Sequence, residues 1–179
     1  MKLNIKETAV FAMLGALMVA TKELMAVLPN IHLLGAIIVA ITVFYRQKAL
    51  YPIYIYVFAE GLMQGFSPWW VFNLYVWAVL WGAVMLLPKN MPKKVQPIVY
   101  SVVCSLHGFL FGTLCAPAQA LLFGLDFKGT LTWIAAGLPY DCIHGVSNFF
   151  CGLLIVPIIR ALTVAENGIN KNANKNANK

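Results

Sequence analysis

Six apolar runs, each parted from the next by a few polar or charged residues, constrain this chain more than any other feature. They occupy 8–28, 31–45, 49–64, 69–87, 98–123 and 131–162. About 17–25 apolar residues suffice for an α-helix to cross the hydrocarbon of a bilayer, where a spanning segment must satisfy its own backbone polar groups. Composition agrees, since 61% hydrophobic and only 11% charged residues leave too little polar surface to cover a water-soluble globule. The expectation is an all-α integral membrane protein, six transmembrane helices in one compact bundle over residues 1–163. The polar, repetitive stretch 164–179, with its NGINKNANKNANK, is read as a disordered tail with no role.

Two of the runs, 31–45 and 49–64, are short for a crossing. A re-entrant hairpin is the alternative, but it would carry Arg46 and Lys48 of the intervening RQK to mid-bilayer at a cost of about 2.5–3.5 kcal/mol each. Two short or distorted spans cost less. The first run lacks a small-residue cleavage site followed by a soluble domain, so it is expected to stay as the first helix. Cys104, Cys115, Cys142 and Cys151 all fall inside apolar runs without metal-type spacing and read as buried free thiols.

With six spans, Lys2, Lys6, Arg46, Lys48, Lys89, Lys93, Lys94, Arg160, Lys171, Lys175 and Lys179 fall on one side of the membrane, and Lys22 and Lys128 alone on the other. The positive-inside rule then places both termini in the cytoplasm of a multi-pass protein of a prokaryotic cell membrane. A formal net charge of +7 follows from this topology and from contact with anionic headgroups, and calls for no nucleic-acid partner.

The first run contains AMLGALMVA, in which Ala12, Ala16 and Ala20 recur every four residues and Ala9 extends the row. In lipid the hydrophobic effect does not drive helices together, so close approach through small residues marks a contact surface. That surface belongs either to another helix of this chain or to a partner. In size, span number, basic cytoplasmic ends and this motif, residues 1 to about 163 resemble the substrate-binding S components of energy-coupling factor (ECF) vitamin transporters. The resemblance implies that Ala12, Ala16 and Ala20 dock onto the coupling helices of an ECF transmembrane protein that carries two cytoplasmic ATPases. It also implies a ligand site near the outer face, with the segment between the first two helices, containing Lys22, Glu23, Pro29, Asn30 and His32, as its lid. The chain has no G-x-x-x-x-G-K-[ST] phosphate loop and no evident inverted repeat, so it binds without an evident means of pumping. ATP would be hydrolysed by the partners, and this chain needs no cofactor.

Polar side chains within apolar runs mark pathways or sites. Placed by depth, Glu60, Gln64, Asn73, Gln119, Tyr140, Asp141 and His144 lie in the outer half or near midplane, and Asn148 lies just below. Asp141, His144 and Asn148, spaced i, i+3, i+7, form one helical stripe. Together with Asn30 and the flat wall of Trp77 they are the expected substrate-binding residues, suited to a planar heteroaromatic ligand with polar edges. Trp69 and Trp70 read as interfacial anchors. His107 and His144 stand in similar CSLHG and DCIHG settings, but no defined metal-ligand spacing is present. Two other readings stay open. One is an intramembrane enzyme using Asp141 with His144 or Glu60 as acid and base, although neither G-x-S-x-G nor H-E-x-x-H occurs. The other is a ligand-free scaffold.

Overall fold

The structure, a computed structural model, describes residues 3–177, and side chains as far as residue 168. Lys2 and Lys179 therefore lie outside the described residues, and Lys171 and Lys175 outside the described side chains. Nine α-helices and one 3-10 turn follow in order, with no strand among the described residues. Three helical stretches are long and apolar enough to cross a membrane, Leu34–Gln64, Pro68–Met85 and Gln96–Phe123. The bent pair Phe127–Gly152 and Ile155–Gly168 makes a fourth when taken as one.

Helix α1 (Ile5–Leu24) starts at a capping box. The Asn4 side chain accepts from the Glu7 amide at 2.8 Å while the Glu7 carboxylate accepts from the Asn4 amide at 3.2 Å, which satisfies two otherwise free donors. Its buried face is Phe11, Leu14, Gly15 and Met18. Gly15 is obligatory there, because a Cβ would stand 2.4 Å from the Ile55 side chain of the facing helix. Ala9, Ala12, Ala16 and Ala20 are all exposed. The alanine row is thus not spent on a helix of the same chain.

After a turn-rich connector over 25–33, helix α2 (Leu34–Tyr45) is buried without interruption from Leu34 to Thr42. The one polar side chain in that stretch, Thr42, donates its hydroxyl back to the Ile38 carbonyl at 2.6 Å. Arg46 then takes φ 53°, a left-handed backbone that turns the chain, and the 3-10 turn Arg46–Ala49 leads into α3 (Leu50–Gln64). A continuous helix over 34–64 would be about 45 Å long. Instead Leu34 and Gln64 line the same cavity, so α2 and α3 run in opposite directions on either side of the RQK turn.

The later runs are interrupted where the sequence reading has them whole. The fourth divides into α4 (Pro68–Val71) and α5 (Asn73–Met85), the fifth into α6 (Gln96–Phe109) and α7 (Phe111–Phe123), and the sixth into α8 (Phe127–Gly152) and α9 (Ile155–Ala177). The last break, a 48° bend, has a covalent cause. Pro157 has no N–H to offer the carbonyl four residues back at Leu153, which is where α8 stops. Helix α9 continues past 163, the boundary drawn from composition, and Glu166 meets Lys6 at 2.9 Å. Residues 164–177 are therefore helical here, the first of them held by an ion pair as well as by their own backbone.

Helices α6 and α8 cross most closely. A Cβ on Gly108 would stand 2.9 Å from the Gly145 backbone, and one on Gly152 would stand 2.6 Å from the Ser101 Cα. The Ser105 hydroxyl donates to the Gly145 carbonyl at 2.8 Å. Small residues with a hydrogen bond at the crossing are the means by which helices hold together where apolar burial gives no advantage.

Candidate ligand pocket

Lys6, Arg46, Lys48 and Lys89 gather at one end of the bundle. Lys48 pairs with Glu7, Lys6 with Glu166, and the Arg46 guanidinium donates to the Met85 carbonyl at 2.9 Å. At the opposite end the last turn of α1, the start of α2, the end of α3 and the start of α5 enclose a cavity of about 240 Å³. Lys22, His32, Tyr56, Glu60, Gln64, Trp70, Asn73, Trp77 and Phe111 are among its walls.

Glu60 sits one turn before Gln64 on α3 and is only 6% exposed. Its Oε2 pairs with the Lys22 ammonium, while Oε1 is buried without a partner. Glu23 lies 3.8 Å from Lys22 and accepts from the Gln64 side-chain amide at 2.9 Å. The aromatic walls are held by their own polar handles. The Trp77 indole N–H donates to the Asn73 side chain at 2.8 Å, and the Trp70 indole N–H donates to the Val57 carbonyl at 2.7 Å. Gly61 leaves the room into which Trp70 and Phe66 fold, since a Cβ there would stand 2.3 Å from the Phe66 ring.

Two histidines, His107 and His144, stand behind this wall, and His32 is part of it. His32 is 4.9 Å from His144 and 6.4 Å from Trp77 between ring centroids, and His107 is 5.6 Å from Trp77. His107 Nε2 lies 3.1 Å from the Val76 carbonyl, which can only accept, so that nitrogen carries the proton. His32 Nδ1, His107 Nδ1 and His144 Nε2 are buried without partners. Among the described residues no group of three His, Cys, Asp or Glu side chains is placed to hold a metal ion. The connector over 25–33 meets α8 at the Ser147 hydroxyl, which lies 2.9 Å from both the Asn30 carbonyl and the His144 carbonyl of its own helix and can donate to one at a time.

No protein-family model, curated protein or solved structure matches the chain. Its site is therefore read from its own geometry.

Of the residues singled out in the sequence, Glu60, Gln64, Asn73 and Trp77 come together on the cavity wall. Six others do not line it. His144 stands behind His32 and Phe111, its ring 4.9 Å from each. Asp141 is buried, but both its oxygens accept from the Gly112 amide, at 3.0 and 3.1 Å. Gly112 is the second residue of α7, a helix whose N-cap, Leu110, offers no side-chain acceptor. The carboxylate of α8 thus supplies the cap, at the end where the helix dipole is positive. Asp141 is therefore occupied by α7, and is not the partner of His144 that the stripe suggests. Asn148 is wedged at the crossing of α2, α6 and α8, donating to the Cys104 carbonyl at 3.3 Å and lying beside Gly35 and Gly108. Tyr140 is 61% exposed on the apolar perimeter. Gln119, half-buried on α7, is not on the cavity wall. Asn30, at φ 59°, serves through its backbone carbonyl rather than its side chain.

The sequence does not mark Tyr56, Trp70 and Phe111 as wall residues. Lys22 reads either as an ordinary solvated helix end or as part of the lid, and it lines the cavity. Trp70 reads as an anchor together with Trp69. The structure separates them, since Trp69 is 58% exposed at the rim whereas Trp70 folds inward over Gly61. The signal that distinguishes them is Gly61 itself, nine residues earlier.

Proposed function

We propose that this chain is the substrate-binding membrane subunit of an ECF-type importer, with six spans and both termini in the cytoplasm. It captures a small, flat, polar-edged micronutrient at the outer face. The observation that carries the reading is the cavity, where a buried carboxylate and an ammonium sit among aromatic walls at the end remote from the basic residues. Small-molecule sites share this composition, mostly apolar with a few oriented polar groups. The connector over 25–33 covers the cavity through His32, and its link to α8 is the Ser147 hydroxyl, which can donate instead to the His144 carbonyl of its own helix, a fastening light enough for a lid. The exposed row Ala12, Ala16 and Ala20 offers the partner's coupling helices a surface of methyl groups on which backbones can approach. Release into the cell is driven by ATP hydrolysis in the partner ATPases. The enzyme alternative draws less support, because Asp141 is bound to the Gly112 amide and not to a catalytic partner.

Mass spectrometry of the gently purified subunit is expected to find one retained small molecule, bound without nucleotide. Ala16→Leu is expected to abolish uptake and co-purification with the coupling protein while leaving that molecule in place. Loss of both together, or loss of neither, refutes the division between docking row and pocket.

A further inference from the structure

The cavity carries a charge preference that the reading above leaves open. Among the described residues its charged wall residues are Lys22 and Glu60, and Glu23 stands directly behind Lys22. Two carboxylates therefore face one ammonium. The two members of the inner pair are unequally placed, for the Glu60 side chain is 8% exposed and that of Lys22 28%. Glu60 is fixed on α3 with Oε1 unsatisfied, a position in which a second donor is missing. Lys22 reaches the same carboxylate from the end of α1 on a flexible stem that can swing back to solvent. Around them stand Tyr56, Trp70, Trp77 and Phe111, whose ring faces attract a cation and give nothing comparable to an anion. Volume narrows the choice further. About 240 Å³ is room enough for one or two fused rings.

We infer that the cavity takes a flat organic monocation of one or two rings, whose positive charge replaces the Lys22 ammonium beside Glu60 and satisfies Oε1 as well. Lys22 then occupies the charge site of the ligand while the cavity is empty, so that a buried carboxylate is never left without a counter-charge. The inference rests on the cavity being the ligand site.

The test is calorimetric titration, at neutral pH, of the purified subunit freed of any retained molecule, with 4-aminoquinoline, which is protonated there and carries N–H donors, as the cation and quinoline-2-carboxylate as an anion of similar shape. The cation is expected to bind at least about tenfold more tightly than the anion, and Glu60→Gln to weaken it by at least about tenfold. Lys22→Met, which removes the competitor, is expected to strengthen it. That opposite sign cannot arise from misfolding, so Lys22→Met decides the matter even if Glu60→Gln elutes as aggregate. Tighter binding of the carboxylate, lost in Lys22→Met, overturns the inference and leaves the cavity as the ligand site. Heat from neither probe overturns it too. The cavity reading itself falls only if Glu60→Gln, folded by size exclusion, still retains the co-purified small molecule.

Discussion

At the basic end Lys6 meets Glu166 and Lys48 meets Glu7, and each pair joins segments remote in sequence. Across the bundle Lys22 and Glu60 join α1 to α3 in the same way. The difference is solvation. Glu7 and Glu166 keep 26% and 29% of their side-chain surface in contact with the surroundings, Glu60 only 8%. Pairs of the first kind contribute little and are readily dispensed with. A pair of the second kind gives up hydration that its mutual attraction hardly restores, and an apolar replacement would often be as stable. Stability alone does not call for such a pair, whereas the binding role proposed above does.

Three substitutions probe that contrast, and the largest effect belongs to the pocket end. Trp77, 3% exposed and bonded to Asn73, is expected to cost about 3–5 kcal/mol of stability as Trp77→Ala, read from thermal unfolding in detergent. A variant as stable as its parent would mean that the pocket wall bears no structural load. Next comes Asp141→Ala, which uncaps α7 and is expected to cost about 0.5–2 kcal/mol with ligand affinity unchanged. Should affinity fall in step with stability, Asp141 belongs to the pocket after all. The smallest effect is at the basic end. The Lys48 ammonium beside Glu7, together with the Asn4 amide, holds its carboxyl below the usual 4.5. A lowered folded value means that the contribution is complete above 4.5 and disappears as pH falls through that lower value. The melting midpoint of Glu7→Gln should therefore lie slightly below that of the parent at neutral pH and meet it in acid. A gap that widens in acid would show that Glu7 acts through something other than its charge.

Much of the helical plan is legible in hydropathy, because the spacing of charges marks where helices end, and RQK marks a turn. The interruptions at Phe72 and Leu110 are not, since an apolar residue at a break carries no polar signature. The one at Leu153 is written in Pro157. The site divides along similar lines. Glu60 with Gln64, and Asn73 with Trp77, are each one turn apart on a single helix, and periodicity brings each pair onto one face. The Asp141, His144, Asn148 stripe is indeed buried, but periodicity says only that a face turns inward. It does not say whether that face meets a void, as on α3, or the end of another helix, as Asp141 meets α7. Lys22 shows the converse, a charged residue at a helix end whose direction is decided by a carboxylate on a different helix.

The complete enclosure of α2 bears on how the protein is made. Of the helices packed on it, α5, α6, α8 and α9 are later in the chain and only α1 is earlier, so in the membrane setting proposed above a ribosome feeding the bilayer delivers this segment before most of its neighbours exist. For that interval every side of Leu34–Thr42 must tolerate lipid tails, though none of it touches them afterwards. Uniform greasiness, with the Thr42 hydroxyl already bonded to its own backbone, is thus a requirement of the nascent state that the finished bundle no longer displays.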